Sequence, residues 1–508
     1  MLSSSLAAVR PRFLVPGLLA VVGALSGAEP VFEGDPLVVT GEQDDRDYRR
    51  DQAPDATILP VPVTESPFSV QVVPRQVLEE QGALGLEDVY RNVSGVSESG
   101  NTLNAQSEVL PFIRGFEAPV LLRNGMRVKE VGAVDLVGIE SVEVLKGPAS
   151  ILFGALEPGG VLGFTTRTPQ AEPAYEARLE GGSYAHVRAS AGTTGAIAGA
   201  ETLRYRLDGA YTNSGSFRDE IDLERFAVVP SLLWLPAAGT EVGLDASYRR
   251  ETLPYDSGIP LDDDGQPLVE DDTFFGDPDL AGRTLEDLFV GAHVRQALND
   301  ALALRGRIQY HRGTPENEAI RHRGVAGTPG AEELRIRYQD EARTDQQWQA
   351  IAELLVDHRT GSVRHRGVVG VDYTQESSEF DRFRQNLPNV LISDDPNVNF
   401  DPPPHTRTRA FDEDRNWIAL YAHDHLSLAG DRLHLLVGGR FDVVDQEDNL
   451  SGDSDDSSAF TGRLGILYAV TEWASPYASV AQSFSPQFLG TVDRDGDLLD
   501  PETGIQYE

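Results

Sequence analysis

Two histidines spaced two residues apart, His423 and His425, are the side chains in this sequence best suited to hold a metal or a haem iron. On an extended strand both leave the same face, where imidazole nitrogens act as ligands. The same spacing also serves to line a polar strand face, which is the commoner use of such a pair. Asp493-Arg-Asp-Gly-Asp497 with Asp500 has the carboxylate density of a calcium loop. Its glycine stands fourth instead of sixth and no bidentate Glu takes the twelfth place, so it reads as a solvated acidic loop. Asp262-Asp-Asp-Gly265 reads the same way. No Ser/His/Asp order, paired-carboxylate site or phosphate-cradling glycine loop stands out. The sequence therefore predicts no enzyme, no cofactor and no resident metal.

The elements that would carry these residues are exported ones. Arg10 and Arg12 precede an apolar stretch from Phe13 to Leu25, and Ser26-Gly27-Ala28 offers small residues for cleavage. This predicts a Sec signal over residues 1–28. The stretch is too short to span a bilayer as a helix, which takes about 20 apolar residues. No other segment is apolar enough, so any membrane crossing must use strands. The formal charge of −38 and only two lysines, Lys129 and Lys146, exclude a nucleic-acid binder, which needs clustered cations for phosphates. With no cysteine the chain has neither disulfides nor a lipid-anchored thiol.

Residues 29–55 include the charged run Gln43–Pro54 and read as a tether. Within it, Asp35-Pro36-Leu37-Val38-Val39-Thr40-Gly41 is a short β-prone patch suited to adding a strand to a partner's sheet. Residues 56–170 change to short alternating elements and predict a compact α+β domain. Strands are expected at Ser69–Val73, Val120–Leu122, Ser141–Leu145 and Val161–Thr166, with helices around Leu78 and around Leu86, Val89 and Tyr90. From residue 171 onward the period becomes two. Leu203, Tyr205, Leu207 and Tyr211 alternate with Arg204, Arg206 and Asp208, and Leu433, Leu435, Val437, Phe441 and Val443 alternate with His434, Arg440 and Asp442. One face is apolar and the other rich in arginine, so the sheet has one dry and one wet side.

A soluble sandwich would alternate too. Three features favour a membrane barrel: segments of about ten residues, aromatic residues near segment ends (Tyr211, Tyr248, Tyr310 and Trp417), and long acidic insertions such as Ile259–Pro278 and Asn386–Asp414 opposite short turns such as Ala429-Gly430-Asp431. About fourteen strands are expected.

Together these parts resemble the TonB-dependent siderophore receptors. Pro111-Phe-Ile-Arg-Gly-Phe116, Gly138-Ile-Glu-Ser-Val-Glu-Val-Leu-Lys-Gly-Pro-Ala-Ser-Ile-Leu-Phe-Gly154 and Glu157-Pro-Gly-Gly-Val-Leu-Gly-Phe-Thr-Thr-Arg-Thr-Pro169 are similar to the family's plug motifs. Tyr205–Tyr211 and Ser214–Asp219 resemble its entry into the barrel. The resemblance implies a transmembrane antiparallel β-barrel of the Gram-negative outer membrane, with residues 56–170 as an α+β plug in its lumen. It also implies a monomer in lipid and lipopolysaccharide. Asp35–Gly41 would be the TonB box, where the inner-membrane energy-transducing partner pulls. With the mature chain starting near Glu29, no extra signalling domain is expected. The transported ligand would be a ferric siderophore of the hydroxamate class, with haem, cobalamin or a passive porin or adhesin as alternatives.

The resemblance implies ligand contacts at the plug apices, with Asn101, Gln106, Arg123, Arg127 and Phe153 as the candidates. Ferrichrome-type members carry a phenol where this chain has Phe153, so one hydrogen bond to ligand is unavailable. Arg114, Glu140, Glu143 and Lys146 would form ion pairs between plug and barrel wall. Plugged transporters of this kind close with 22 strands. The barrel over residues 171–508 is accordingly expected to be incomplete, with ~200 residues to follow, taken as eight strands with their loops.

Overall fold

The computed structural model describes residues 61–98, 110–129, 134–328, 331–393, 406–471, 473–487 and 499–508, with isolated positions besides. The expected signal, the segment 35–41, and Asn101 and Gln106 lie outside the described residues.

The plug is built on a five-stranded sheet. Its strands lie in the order Val70–Pro74, Ile139–Lys146, Gly160–Thr166, Leu121–Arg123 and Met126–Val128. All neighbours are antiparallel except Leu121–Arg123 beside Gly160–Thr166. The four strands expected here are thus present. So are the two helices, Arg75–Glu80 and Leu86–Tyr90, whose Leu78, Leu86, Val89 and Tyr90 pack on Val142, Val144, Leu162 and Phe164. Central strands buried on both faces read as continuous apolar runs, as Val161-Leu-Gly-Phe164 does. Two glycines let the chain fold this tightly. A Cβ on Gly160, at φ +137°, would stand 2.2 Å from the carbonyl oxygen of Leu145. One on Gly154, at φ +81°, would stand 2.9 Å from the Arg440 guanidinium.

From Ala174 the chain forms a second, antiparallel sheet. Among the described residues, fourteen strands run in chain order from Ala174–Gly181 to Glu502–Tyr507, each hairpin-paired to the next, with the short strand Val390–Leu391 attached to Ala331–Thr360. The sheet is polar inside and apolar outside. Leu244, Leu420 and Leu464 are 50–59% exposed on one face, while Arg206, Asp208 and Arg440 on the other are at most 4% exposed. Water would drive a sheet to the opposite arrangement, so this inversion is the signature of strands bathed in lipid. An antiparallel ladder satisfies the backbone groups that lipid cannot.

The sheet curves around the plug. Plug residues touch its second strand through Asp135 and Arg188, its middle through Lys129 and Asp345, and its last through Arg114 and Glu508. Backbone contact joins the two parts as well, with Leu156 N–H donating to Phe484 O at 3.0 Å.

Three expectations fail in detail. Barrel strands are not all about ten residues long: Leu302–Thr328 has 27 residues and Ala331–Thr360 has 30. Beyond the lipid band the ladder continues through polar residues such as Glu316, Asn317 and Glu318, where the apolar alternation that marks a strand in sequence has stopped. For the same reason the insertion Asn386–Asp414 is shorter than it looks, because Thr406–Leu428 already pairs with Val363–Asn386. Trp417 is also not an interface residue. It is 5% exposed and points at the plug, beneath the guanidinium of Arg127.

Candidate functional site: the seam between plug and wall

The inward positions of the barrel strands present charged and amide groups, and the plug meets them with single complementary residues. Asp135, in the loop before the strand Ile139–Lys146, receives both terminal nitrogens of Arg188 at 2.7 and 2.8 Å. Both residues are buried. Burial alone would raise the Asp135 carboxyl, yet the Arg188 guanidinium holds it below the usual carboxylate range. Lys129 reaches Asp345 at 2.9 Å, and Ser378 donates to the same carboxylate. Glu65, where the chain enters the plug, pairs with Arg366.

Amides grip the plug between these charges. Gln349 Oε1 accepts the Arg127 N–H at 3.0 Å, and Gln309 Nε2 donates to the Arg127 carbonyl at 2.5 Å. Arg307 donates to the carbonyls of Asn124 and Gly125, which form the tight turn between two plug strands. Beside Asp135 a small cavity is lined by Arg123, Ser247, Arg249 and Asp287.

The expected ligand contacts that are described lie in this seam. Arg123 is 5% exposed, stacks 3.9 Å from the Phe289 ring centre, and reaches Ser247 at 2.6 Å and Asp245 at 3.5 Å. Arg127 is turned inward, donating to the carbonyls of Phe153 at 3.2 Å and Ala155 at 2.8 Å. Burial pulls it below its usual value. Phe153 is 3% exposed and packs with Leu152, Met126 and Leu156. Arg127 and Phe153 are thus brought together, but as a plug–wall joint and not as an open apex.

The four charged residues expected to bridge plug and wall are placed differently from one another. Arg114 reaches the barrel residue Glu508 at 2.6 Å. Lys146 turns into the plug, where it donates to Ser94 Oγ at 3.0 Å and Gln71 Oε1 at 3.4 Å. Its ammonium is pulled below the usual lysine value by burial, then by Arg114. Glu143 is buried mid-strand and accepts from Thr165 Oγ at 3.4 Å, while Glu140 is half-buried on the same strand. Glu65, Lys129 and Asp135 are among the bridging plug residues that sequence reasoning missed. None sits in a recognisable motif, and their partners lie 53 to 301 residues away.

His423 and His425 are buried in the same seam. His425 Nε2 faces the carbonyl of Glu65 at 3.0 Å, and its ring stacks on His434. His425 is thereby used in joining the plug to the wall. Chemically the seam is a set of discrete contacts between the plug and the inner face of the sheet. Each charge pair is costly to break by deleting one member, about 3–5 kcal/mol, yet adds little net stability while intact.

Two family models match this chain. The TonB-dependent receptor plug domain matches residues 62–161, and the TonB-dependent receptor-like β-barrel matches residues 230–508. The metal-pseudopaline receptor of Pseudomonas aeruginosa is 28% identical over 476 residues, covering 91% of this chain. The chain spans 66% of that receptor's own length. The ferrioxamine B receptor of Salmonella typhimurium is 26% identical over 521 residues, covering 96% of this chain and 71% of the relative. Among solved structures, the ferripyoverdine receptor of Pseudomonas aeruginosa superposes with a TM-score of 0.80 at 20% identity, over 92% of this chain and 63% of that one.

Proposed function

The chain belongs to the TonB-dependent receptor family, and from that premise we propose that it imports a ferric siderophore across the Gram-negative outer membrane. The observation that carries this reading is a plug seated in the lumen of a lipid-facing sheet and pinned by separable ion pairs. A filled lumen does not leak, so passage requires the plug to be moved, and motion of that kind needs work from outside. The segment Asp35–Gly41 is where TonB would deliver it. Residues 29–55 serve as the tether, 56–170 as the plug and 171–508 as barrel. The protein acts as a monomer in lipid and lipopolysaccharide, carries no cofactor, and catalyses no covalent step.

Ferrioxamine and ferrichrome receptors among the relatives support a hydroxamate ligand. The haem alternative loses its best ligands, because His423 and His425 are both buried and His425 is engaged by the plug carbonyl of Glu65.

The test is ligand binding by the full-length protein in detergent, read by quenching of its tryptophans. Saturable quenching by a ferric siderophore and none by the iron-free ligand supports the reading. Tight haem binding that His423→Ala and His425→Ala abolish would overturn it.

A further inference from the structure

Tilted strands cross the apolar core of a bilayer in about 9–11 residues. The strands Leu302–Thr328, Ala331–Thr360 and Val363–Asn386 continue far past that length, and on their inward face they gather arginines. Arg321 stands directly opposite Arg337 in the ladder. On the next pair of strands Gln339 stands opposite Arg384, and Glu341 opposite Arg382.

The positive charge of this group is sparingly balanced. Arg440, by contrast, has both Asp372 and Asp442, and Arg225 has Glu251 at 2.7 Å. Here Arg337 and Arg384 converge on one neutral oxygen, Gln339 Oε1, at 3.2 and 2.7 Å. Arg321 and Arg382 approach one carboxylate, Glu341, at the longer distances of 3.9 and 3.7 Å. The Nε–H groups of Arg337 and Arg382 are shielded from solvent and meet no acceptor among the described residues. The effect is visible on Arg337, whose guanidinium is pulled down to about 10 by burial and then by Arg384, Arg323, Arg321 and Arg382.

A chain of net charge −38 repels anions at long range. A cluster of half-buried guanidiniums short of counter-charge is the local exception, and it costs stability unless something negative fills it. Guanidinium forks bind carboxylate and other paired anionic oxygens bidentately, with charge-assisted bonds about twice as strong as neutral ones. We infer that the Arg337–Arg384 cluster is the recognition site for a ferric complex of net negative charge, one whose chelating or pendant groups are catecholate or carboxylate. This rests on the uptake reading above and narrows it. A hydroxamate ligand fits only if it carries such pendant acids.

The test is equilibrium binding by the full-length protein in detergent with two probes, a ferric tris-catecholate and a neutral ferric tris-hydroxamate without pendant acids. The anionic probe is expected to bind at least about tenfold more tightly, with affinity that falls as salt rises. Arg337→Gln and Arg384→Gln should each weaken it by roughly tenfold or more, the loss of one charged hydrogen bond. Arg337→Lys should restore part of the loss, and none of the three should alter the neutral probe. Equal binding of both probes, or an anionic affinity unmoved by Arg337→Gln and Arg384→Gln in protein of unchanged circular dichroism, overturns the inference alone. Failure of both probes to bind overturns the uptake reading together with it.

Discussion

Replacing Asp135 with Asn should loosen the plug in its seat by an amount that can be worked from the structure. The substitution keeps shape but removes the charge that Arg188 pairs with across the seam. Deleting one member of a buried ion pair costs about 3–5 kcal/mol. The lower end applies here, because Thr212 Oγ still accepts from Arg188 at 2.8 Å and Glu180 lies 3.8 Å away. About 3 kcal/mol is roughly a hundredfold in the population of the opened state, at 1.4 kcal/mol per decade. The chain has no cysteine, so one introduced thiol reports alone. Ala227→Cys places it on the wall beside Asp135, at a position 3% exposed and lining the same cavity. When opening is fast and rare, the labelling rate of that thiol follows the open population. It should rise about a hundredfold with Asp135→Asn and fall back in part when Arg188→Met removes the orphaned charge. The sign with pH follows from the depressed Asp135 carboxyl. Its contribution is complete above the unfolded value of about 4 and is lost as pH falls through the lower folded value, so labelling is flat near neutrality. A change of less than threefold at neutral pH, with no coupling between Asp135→Asn and Arg188→Met, would refute the claim that this pair holds the plug.

Gly160→Ala should destabilise the plug by about 3 kcal/mol or more, since its Cβ meets the Leu145 carbonyl at 2.2 Å in a left-handed conformation; denaturant unfolding followed by plug proteolysis measures this. Leu420→Arg on the lipid face should cost about 2–4 kcal/mol of folding free energy if it lies near the midplane. Heat-modifiable mobility on gels reports the folded fraction, and a variant as well folded as the parent contradicts the assigned outer face. Glu65→Gln should speed trypsin cleavage at the plug entry, because Arg366 loses its carboxylate; unchanged cleavage would show that Glu65 does not anchor the entry.

Much of the plug was legible because its sequence states its geometry. Apolar runs such as Val161–Phe164 mark strands buried on both faces, and the glycines at 154 and 160 mark places where a Cβ has no room. The barrel announced itself through period-two alternation, but only where one strand face meets lipid. Past that band, residues such as Glu316–Glu318 pair just as regularly without an apolar face, and the strand ends were lost to view. The seam was the least legible part. Asp135 and Arg188 become partners only when the sheet wraps the plug, and nothing local in either segment points to the other. Phe153 and Arg127 were expected at the plug apices by resemblance to the family; packing against the wall, which no local pattern announces, buries them. Nothing in the sequence singles out the arginines at 337 and 384, since only the ladder register brings them to one amide oxygen.

The central claim is that this is a gated importer driven through Asp35–Gly41, and uptake of radioiron by cells answers it most directly. Cells carrying the full-length protein should accumulate iron from a ferric siderophore in an energy-dependent manner. Deleting residues 35–41 should reduce uptake to the level of cells lacking the protein, while surface binding of the same ligand stays unchanged. Uptake that survives both the deletion and a protonophore would contradict the account and assign the protein to passive diffusion instead.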